Sequence, residues 1–305
     1  MSAVLAIVGP TASGKSRMAV EVASALAYHG VEIVSCDSMG VYRGLDITAA
    51  VPTQEQRRGV PHHLFGIAEV CDDFTAVRYR HVARTAIASI QGAGGVPMVV
   101  GGSGLYFRAV VDELEFAPTD AAVRARLESE DPDVLWERVV AADPVSAERI
   151  DPRNRRRIVR AAEILELTGR PPSELRRSWD RFESRYDLTV VGLTWSRDEL
   201  LRRAGDRVRR QVEDGMVDEV RAMLPVGISR TAMQALGVKE IVDHIEGRRT
   251  LEDAIDVVIG NVRNFVRRQL QWFRSDPRVE WVDAGELGWD PARDAIVERF
   301  RRALG

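Results

Sequence analysis

Apolar residues early in the chain gather in short runs, at 4–8, 31–35 and 96–100, each followed by a polar or glycine-rich turn. Runs of this length are too short for helices. Largely apolar along their length, they predict parallel strands covered on both faces. The helical pattern over 15–26 adds the expected crossover, and together these predict a doubly wound α/β sheet. From about Pro118 the pattern becomes helical and charged, broken at Asp131-Pro132, Asp143-Pro144, Asp151-Pro152 and Pro171-Pro172. A further buried strand is expected at 188–194, then long helices over 198–224 and 251–274. The expected organisation is a first part of the α/β core over 1–117, an all-helical insertion over 118–185, and the rest of the core with C-terminal helices over 186–305. No internal repeat interrupts this scheme.

Composition narrows the class. The chain of 305 residues is 45% hydrophobic and 29% charged, ordinary for a soluble globular protein. No apolar stretch reaches eighteen residues, so no membrane span is expected. The apolar N-terminus runs straight into a glycine loop and reads as a strand, not a leader, so a cytoplasmic location fits. Cys36 and Cys71 have neither zinc-type nor disulfide-framework spacing. The net charge of −3 gives no overall affinity for nucleic acid, but averages conceal patches. Of 43 basic side chains only Lys15 and Lys239 are lysines. Arginines gather over 149–185 (11 against 6 acids), 202–210 (five against one) and 263–274 (four against none). Such faces are most often solvated surface, and three in one chain raise phosphate-backbone binding as the alternative.

Residues 9–16 read GPTASGKS, the pattern G-x-x-x-x-G-K-[ST], between an expected strand and an expected helix. Gly9 and Gly14 permit a tight path on which the N–H groups of Thr11, Ala12 and Ser13 can turn toward an anion. The helix N-terminus adds its positive end, Lys15 a cation, and Ser16 a hydroxyl suited to Mg²⁺. This is a P-loop NTPase-like core holding a di- or triphosphate. The loop alone does not decide between ATP, GTP and a prenyl diphosphate.

Residues 36–47, CDSMGVYRGLDI, separate these options, because they resemble the D-S-x-x-x-Y-[KR]-G-[ML]-D-I signature of the tRNA dimethylallyltransferases. Further blocks in that family's order are PHHL (61–64), VVGGSGLYFRA (99–109), DPRNRRRIVRAAEI (151–164), LTGRPPSEL (167–175), ALGVKEI (235–241) and RNFVRRQLQWFR (263–274). The resemblance implies transfer of a dimethylallyl group from dimethylallyl diphosphate, with Mg²⁺, to N6 of the adenosine 3′ of the tRNA anticodon. It implies that Asp37 is the general base, that Ser103 helps hold the reacting centre, and that Arg203 and Arg207 lie near the diphosphate. It further implies that Ser38, Tyr42, Arg157, Arg160, Arg267 and Gln269 meet tRNA and that the helical insertion faces it. A monomer is expected, with tRNA and dimethylallyl diphosphate as its partners.

The chemistry is coherent on its own terms. The adenine amine is a weak nucleophile, a carboxylate would sharpen it as the proton leaves, and cations would stabilise the departing diphosphate. The target base must leave its stack to react. Plainer readings stand beside these: Asp37 as metal ligand or helix cap, Ser103 as a turn residue, His62 and His63 as structural, Cys36 as a small buried hydrophobe. Phe265, Trp272 and Phe273 read as core at helical spacing, with base stacking as the alternative. Residues 46–52, DITAAVP, depart from the family's D-I-G-T-A-K-P. Thr48 replaces glycine, Ala49 threonine and Val51 lysine, so a hydroxyl and a cation are missing beside the expected site. A P-loop nucleotide kinase, an adenylate isopentenyltransferase acting on free AMP, and a catalytically silent RNA-binding relative are the competing readings.

Overall fold

Six strands form one parallel sheet: β1 (Ala3–Val8), β2 (Val31–Cys36), β3 (His62–His63), β4 (Val96–Gly101), β5 (Asp187–Thr194) and β6 (Val279–Asp283). Their spatial order is β3-β2-β4-β1-β5-β6, which crosses over between β2 and β4 and around β1. The structure, a computed structural model, describes residues 3–305, Arg177 by its backbone alone. The central strands are buried on both faces, which explains the apolar runs. Along β1, Val4, Ala6 and Val8 enter one apolar cluster and Leu5 and Ile7 the other. Helices Ala76–Gly92, Gly104–Val111 and Val238–Ile245 cover the first cluster, and Lys15–Ala25 and Trp289–Leu304 the second. Among the described residues no helix is long and apolar enough to cross a membrane.

The strand register positions the loops. Val8 and Cys36 both align with Gly101, so β1, β2 and β4 end side by side. Gly101 is what permits this alignment: a Cβ there would lie 1.9 Å from the Cys36 carbonyl oxygen. Ligands of open α/β sheets bind at such carboxyl ends.

One expectation needs correction, and two strands were not foreseen. The helix expected over 198–224 is two helices, Arg197–Glu213 and Met216–Met223. Gly215 between them has φ +104°, a left-handed conformation that ends the first helix and caps the second. The short strand β3 and the half-exposed β6 fall outside the apolar runs that marked the other strands.

Residues 1–112 and 184–305 form one compact unit and 113–183 another, where the sequence suggested an insertion over 118–185. Residues 113–117 join the second unit through backbone bonds. Arg160 donates to the carbonyls of Ala117 and Pro118, both at 2.8 Å, and Glu115 N–H donates to Ser178 Oγ at 3.1 Å. Its helices Ala121–Ser129, Pro132–Ala142 and Arg155–Thr168 bury Leu127, Leu135, Val139, Ile158 and Ala162. The Asp131-Pro132 and Asp143-Pro144 breaks are helix starts. Each aspartate accepts first-turn N–H groups, and each proline takes the first helical position, where no N–H is needed. Glu163 is fully buried, bonded by Arg124 at 2.6 Å, Arg160 at 2.7 Å and the N–H of Asp120 at 3.1 Å. Burial pushes its carboxyl up, but these donors outweigh burial and leave it below the usual range.

Candidate active site

The loop over 9–16 leaves β1 and is fastened from three sides. Trp195 Nε1–H donates to the Ser13 carbonyl at 2.9 Å, Thr11 N–H donates to Gln269 Oε1 at 2.8 Å, and Lys15 Nζ donates to the Pro10 carbonyl at 3.2 Å. Gly14 has φ +86°, and a Cβ on it would touch the Trp289 ring at 3.0 Å, so glycine is required on two counts. Helix Lys15–Ala25 starts at Gly14 with no side-chain cap. Its first N–H groups therefore keep the partial positive charge that suits an anion.

Asp37 follows β2. Its Oδ1 accepts from the N–H groups of Met39 at 2.8 Å and Gly40 at 3.2 Å. Asp37 caps no helix: Oδ1 closes a local turn, while Oδ2 has no hydrogen-bond partner among the described residues. Ser103 caps helix Gly104–Val111 through its backbone, with no cap bond from its side chain. Asp37, Ser103, Ser38, Thr11, Lys15 and Arg207 all line one cavity of about 230 Å³. Apolar surface is supplied there by Met39, Phe65, Leu236 and Phe265.

A second, larger cavity of about 670 Å³ lies on the other side of the loop. Lys15, Arg17, Arg58, Arg202, Arg203, Arg207 and Arg210 line it, with Asp206 as the one acid. Ala12 and Gly14 face this side, and Lys15, Ser16 and Arg207 line both cavities. Burial, with Arg207 adding, lowers the Lys15 pKa to about 8, and Asp37 opposes the shift. Burial also lowers Arg207 and Arg203. A group of crowded, desolvated cations is an arrangement that an incoming anion relieves.

Several residues expected at the site do other work. Tyr42, expected to meet tRNA, is fully buried, with its hydroxyl 2.6 Å from Thr231 Oγ1. Gln269 is also buried: besides holding Thr11, its Nε2 donates to the Gly102 carbonyl at 2.9 Å, so it ties two loops together at the wall of the cavity. Arg160 is spent inside its own unit on Glu163 and two carbonyls. The Ser13 side chain is buried, without a partner, and lines neither cavity, and Gly9 lines neither. Both serve the loop through their backbone. Arg157 and Arg267 remain exposed. Of the three aromatics expected in the core, Phe273 is there, but Phe265 lines the cavity and Trp272 is 37% exposed.

The departing stretch 46–49 is a short helix at the cavity edge. Thr48 Oγ1 donates to Glu219 Oε2 at 2.6 Å, and Arg207 Nη2 donates to the Ala49 carbonyl at 3.3 Å. The unexpected hydroxyl of Thr48 thus anchors the segment. Sequence reading missed Trp195, Trp289, Phe65 and Arg268 at the site. Arg268 lies in the quoted block 263–274 without being singled out there, and the other three sit in no quoted motif; only the fold brings them to the strand ends.

A family model described as IPP transferase matches residues 40–276. The chain is 46% identical to a tRNA dimethylallyltransferase of Thermobifida fusca, covering 94% of this chain and 92% of that protein. It is 44% identical to one of Streptomyces coelicolor, covering 92% and 90%. Among solved structures it is similar to the full-length tRNA isopentenylpyrophosphate transferase of Bacillus halodurans, with TM-score 0.74, 37% identity and 100% and 97% coverage. It is also similar to a eukaryotic dimethylallyltransferase described as acting on tRNA, with TM-score 0.77, 26% identity and 95% and 76% coverage.

Proposed function

The chain belongs to the IPP transferase family, and on that premise we propose that it is a tRNA dimethylallyltransferase, moving the prenyl group of dimethylallyl diphosphate to N6 of the adenosine 3′ of the anticodon. The observation that carries the proposal is the meeting of the phosphate loop, Asp37 and Ser103 at aligned strand ends around one cavity. The adenine, swung out of its stack, enters beside Asp37 and Ser103. The free Oδ2 of Asp37 takes a proton from the amine as nitrogen bonds to the allylic carbon. The carbon–oxygen bond breaks, and the diphosphate leaves with the electron pair. Lys15, Arg203, Arg207 and the loop N–H groups stabilise the charge that collects on it.

Mg²⁺ fits this donor set. The Ser16 hydroxyl is exposed at the loop, and no cluster of three or more His, Cys, Asp or Glu exists among the described residues to hold a metal by protein alone. One hydroxyl with diphosphate oxygens and water suits a small, hard cation. When bound, Mg²⁺ supplies neutralisation of the diphosphate. Arg157 and Arg267, both exposed, are the expected side chains that remain for the tRNA backbone. All the reacting groups come from one chain, so a monomer suffices, and its place is the cytoplasm.

Free AMP as acceptor is disfavoured by the second unit, which such an acceptor does not need. Radiolabelled dimethylallyl diphosphate offered with unmodified tRNA or AMP decides the point. Label is expected in tRNA alone, label in AMP would transfer the reading to a nucleotide-modifying enzyme, and label in neither would abandon it. Asp37→Asn is expected to lower turnover about 10²–10⁴-fold with donor binding kept. An unchanged rate would remove Asp37 from the base role.

A further inference from the structure

Behind the phosphate loop stand two tryptophans from distant parts of the chain. Trp195 follows β5, and its indole N–H holds the Ser13 carbonyl at 2.9 Å. The guanidinium of Arg203 lies over the same ring, 4.1 Å from the centroid. Arg203 in turn reaches the loop: a Cβ on Gly14 would sit 3.8 Å from its Nη2. Among the described residues its one ion-pair partner is Glu199, at 4.0 Å. Glu199 is drawn instead to Arg202 at 2.7 Å. Trp289 closes the other side, its ring against Gly14, its N–H donating to Glu21 at 2.7 Å and its face under Arg17 at 4.6 Å.

We infer that Trp195 is a positioning residue for the leaving diphosphate: its edge fixes the loop while its face fixes Arg203, so one side chain sets the distance between the loop N–H groups and that cation. The geometry supports this over a purely structural role. Trp195 also packs against two apolar clusters, but packing alone does not require its face on an arginine and its N–H on the loop at once. A long arginine otherwise loses rotamer freedom when it grips an anion, and stacking on an indole removes that cost beforehand. Trp195 touches no reacting atom; it acts through Ser13 and Arg203. The inference rests on the reading of the basic cavity as the diphosphate side.

The test measures affinity of the full chain for inorganic diphosphate with Mg²⁺ by calorimetry, beside its affinity for tRNA. Trp195→Phe keeps a ring for Arg203 and removes the N–H, and is expected to weaken diphosphate binding about 5-fold. Trp195→Leu removes both and should weaken it about 10–100-fold, with tRNA affinity and the unfolding midpoint held. Trp195→Leu combined with Arg203→Ala should fall well short of the sum of the single effects, since the two act as a unit. The inference is overturned if Trp195→Leu binds diphosphate within about twofold of wild type, or if the double variant is additive. It is equally overturned if tRNA affinity and midpoint fall together with diphosphate affinity in Trp195→Leu and Trp195→Phe alike, the mark of general unfolding. A wild-type chain that binds no diphosphate would overturn the donor reading itself, which separates the two failures.

Discussion

The phosphate loop and the helical unit are both rich in cations, and they use them in opposite ways. Around the loop, Lys15 and Arg207 face a cavity with no carboxylate bonded to either among the described residues, and burial depresses both pKa values. In the helical unit, Arg124 and Arg160 converge on the buried Glu163 and hold its carboxyl low. The first arrangement is unstable until an anion arrives; the second is complete as folded. Counting arginines does not distinguish the two. Asking which carboxylate each one already owns does.

The contrast can be broken at either end. The largest effect is expected from Glu163→Ala, which strands two arginines and should cost about 3 kcal/mol of stability, read as a lower unfolding midpoint with diphosphate affinity unchanged. Its folded pKa is depressed, so its contribution is full above the ordinary glutamate value and fades as pH falls through the folded one. A midpoint that does not fall with acid more steeply in wild type than in the variant would contradict this. Next comes Lys15→Ala, for which donor affinity should drop about 10–100-fold with little change in midpoint. A change in stability larger than the change in affinity would reverse the comparison. In the unchanged chain, Lys15 loses its proton as pH rises through about 8, so diphosphate affinity should decline above that pH and hold below it. Lys15→Arg should abolish the break in the profile. The smallest effect belongs to Tyr42→Phe, which removes a hydroxyl bonded to Thr231 and should cost about 1 kcal/mol of stability while leaving tRNA affinity intact. A loss of tRNA affinity would restore Tyr42 to the contact surface.

Much of the core was legible because physics left few options. Mostly apolar runs of five residues, too short for helices, fit strands covered on both faces, and GPTASGKS between a strand and a helix shapes a cradle for phosphate. Asp37 and Ser103 were legible for a related reason: each follows a strand. Legibility failed where a side chain's direction decided its work. Nothing in the string RRQLQWFR tells that Gln269 turns inward to the loop while Trp272, three residues on, stays partly in solvent. Nothing near Thr48 tells that Glu219 waits for its hydroxyl. Trp195 and Trp289 carry no pattern at all before the sheet assembles. Gly215 was readable in principle, since a glycine inside a long helical pattern is a reason to expect two helices.

Gln269 makes the loops at the ends of β1 and β4 parts of one lever. It projects from the helix Leu251–Arg274, whose 24 residues form a rod of about 36 Å. One side of that rod grips Thr11 and Gly102, and another holds Arg263 and Arg267 out to solvent. The helix that presents those arginines is thus the same one that sets, through a single carboxamide, the spacing between the anion loop and the Ser103 loop.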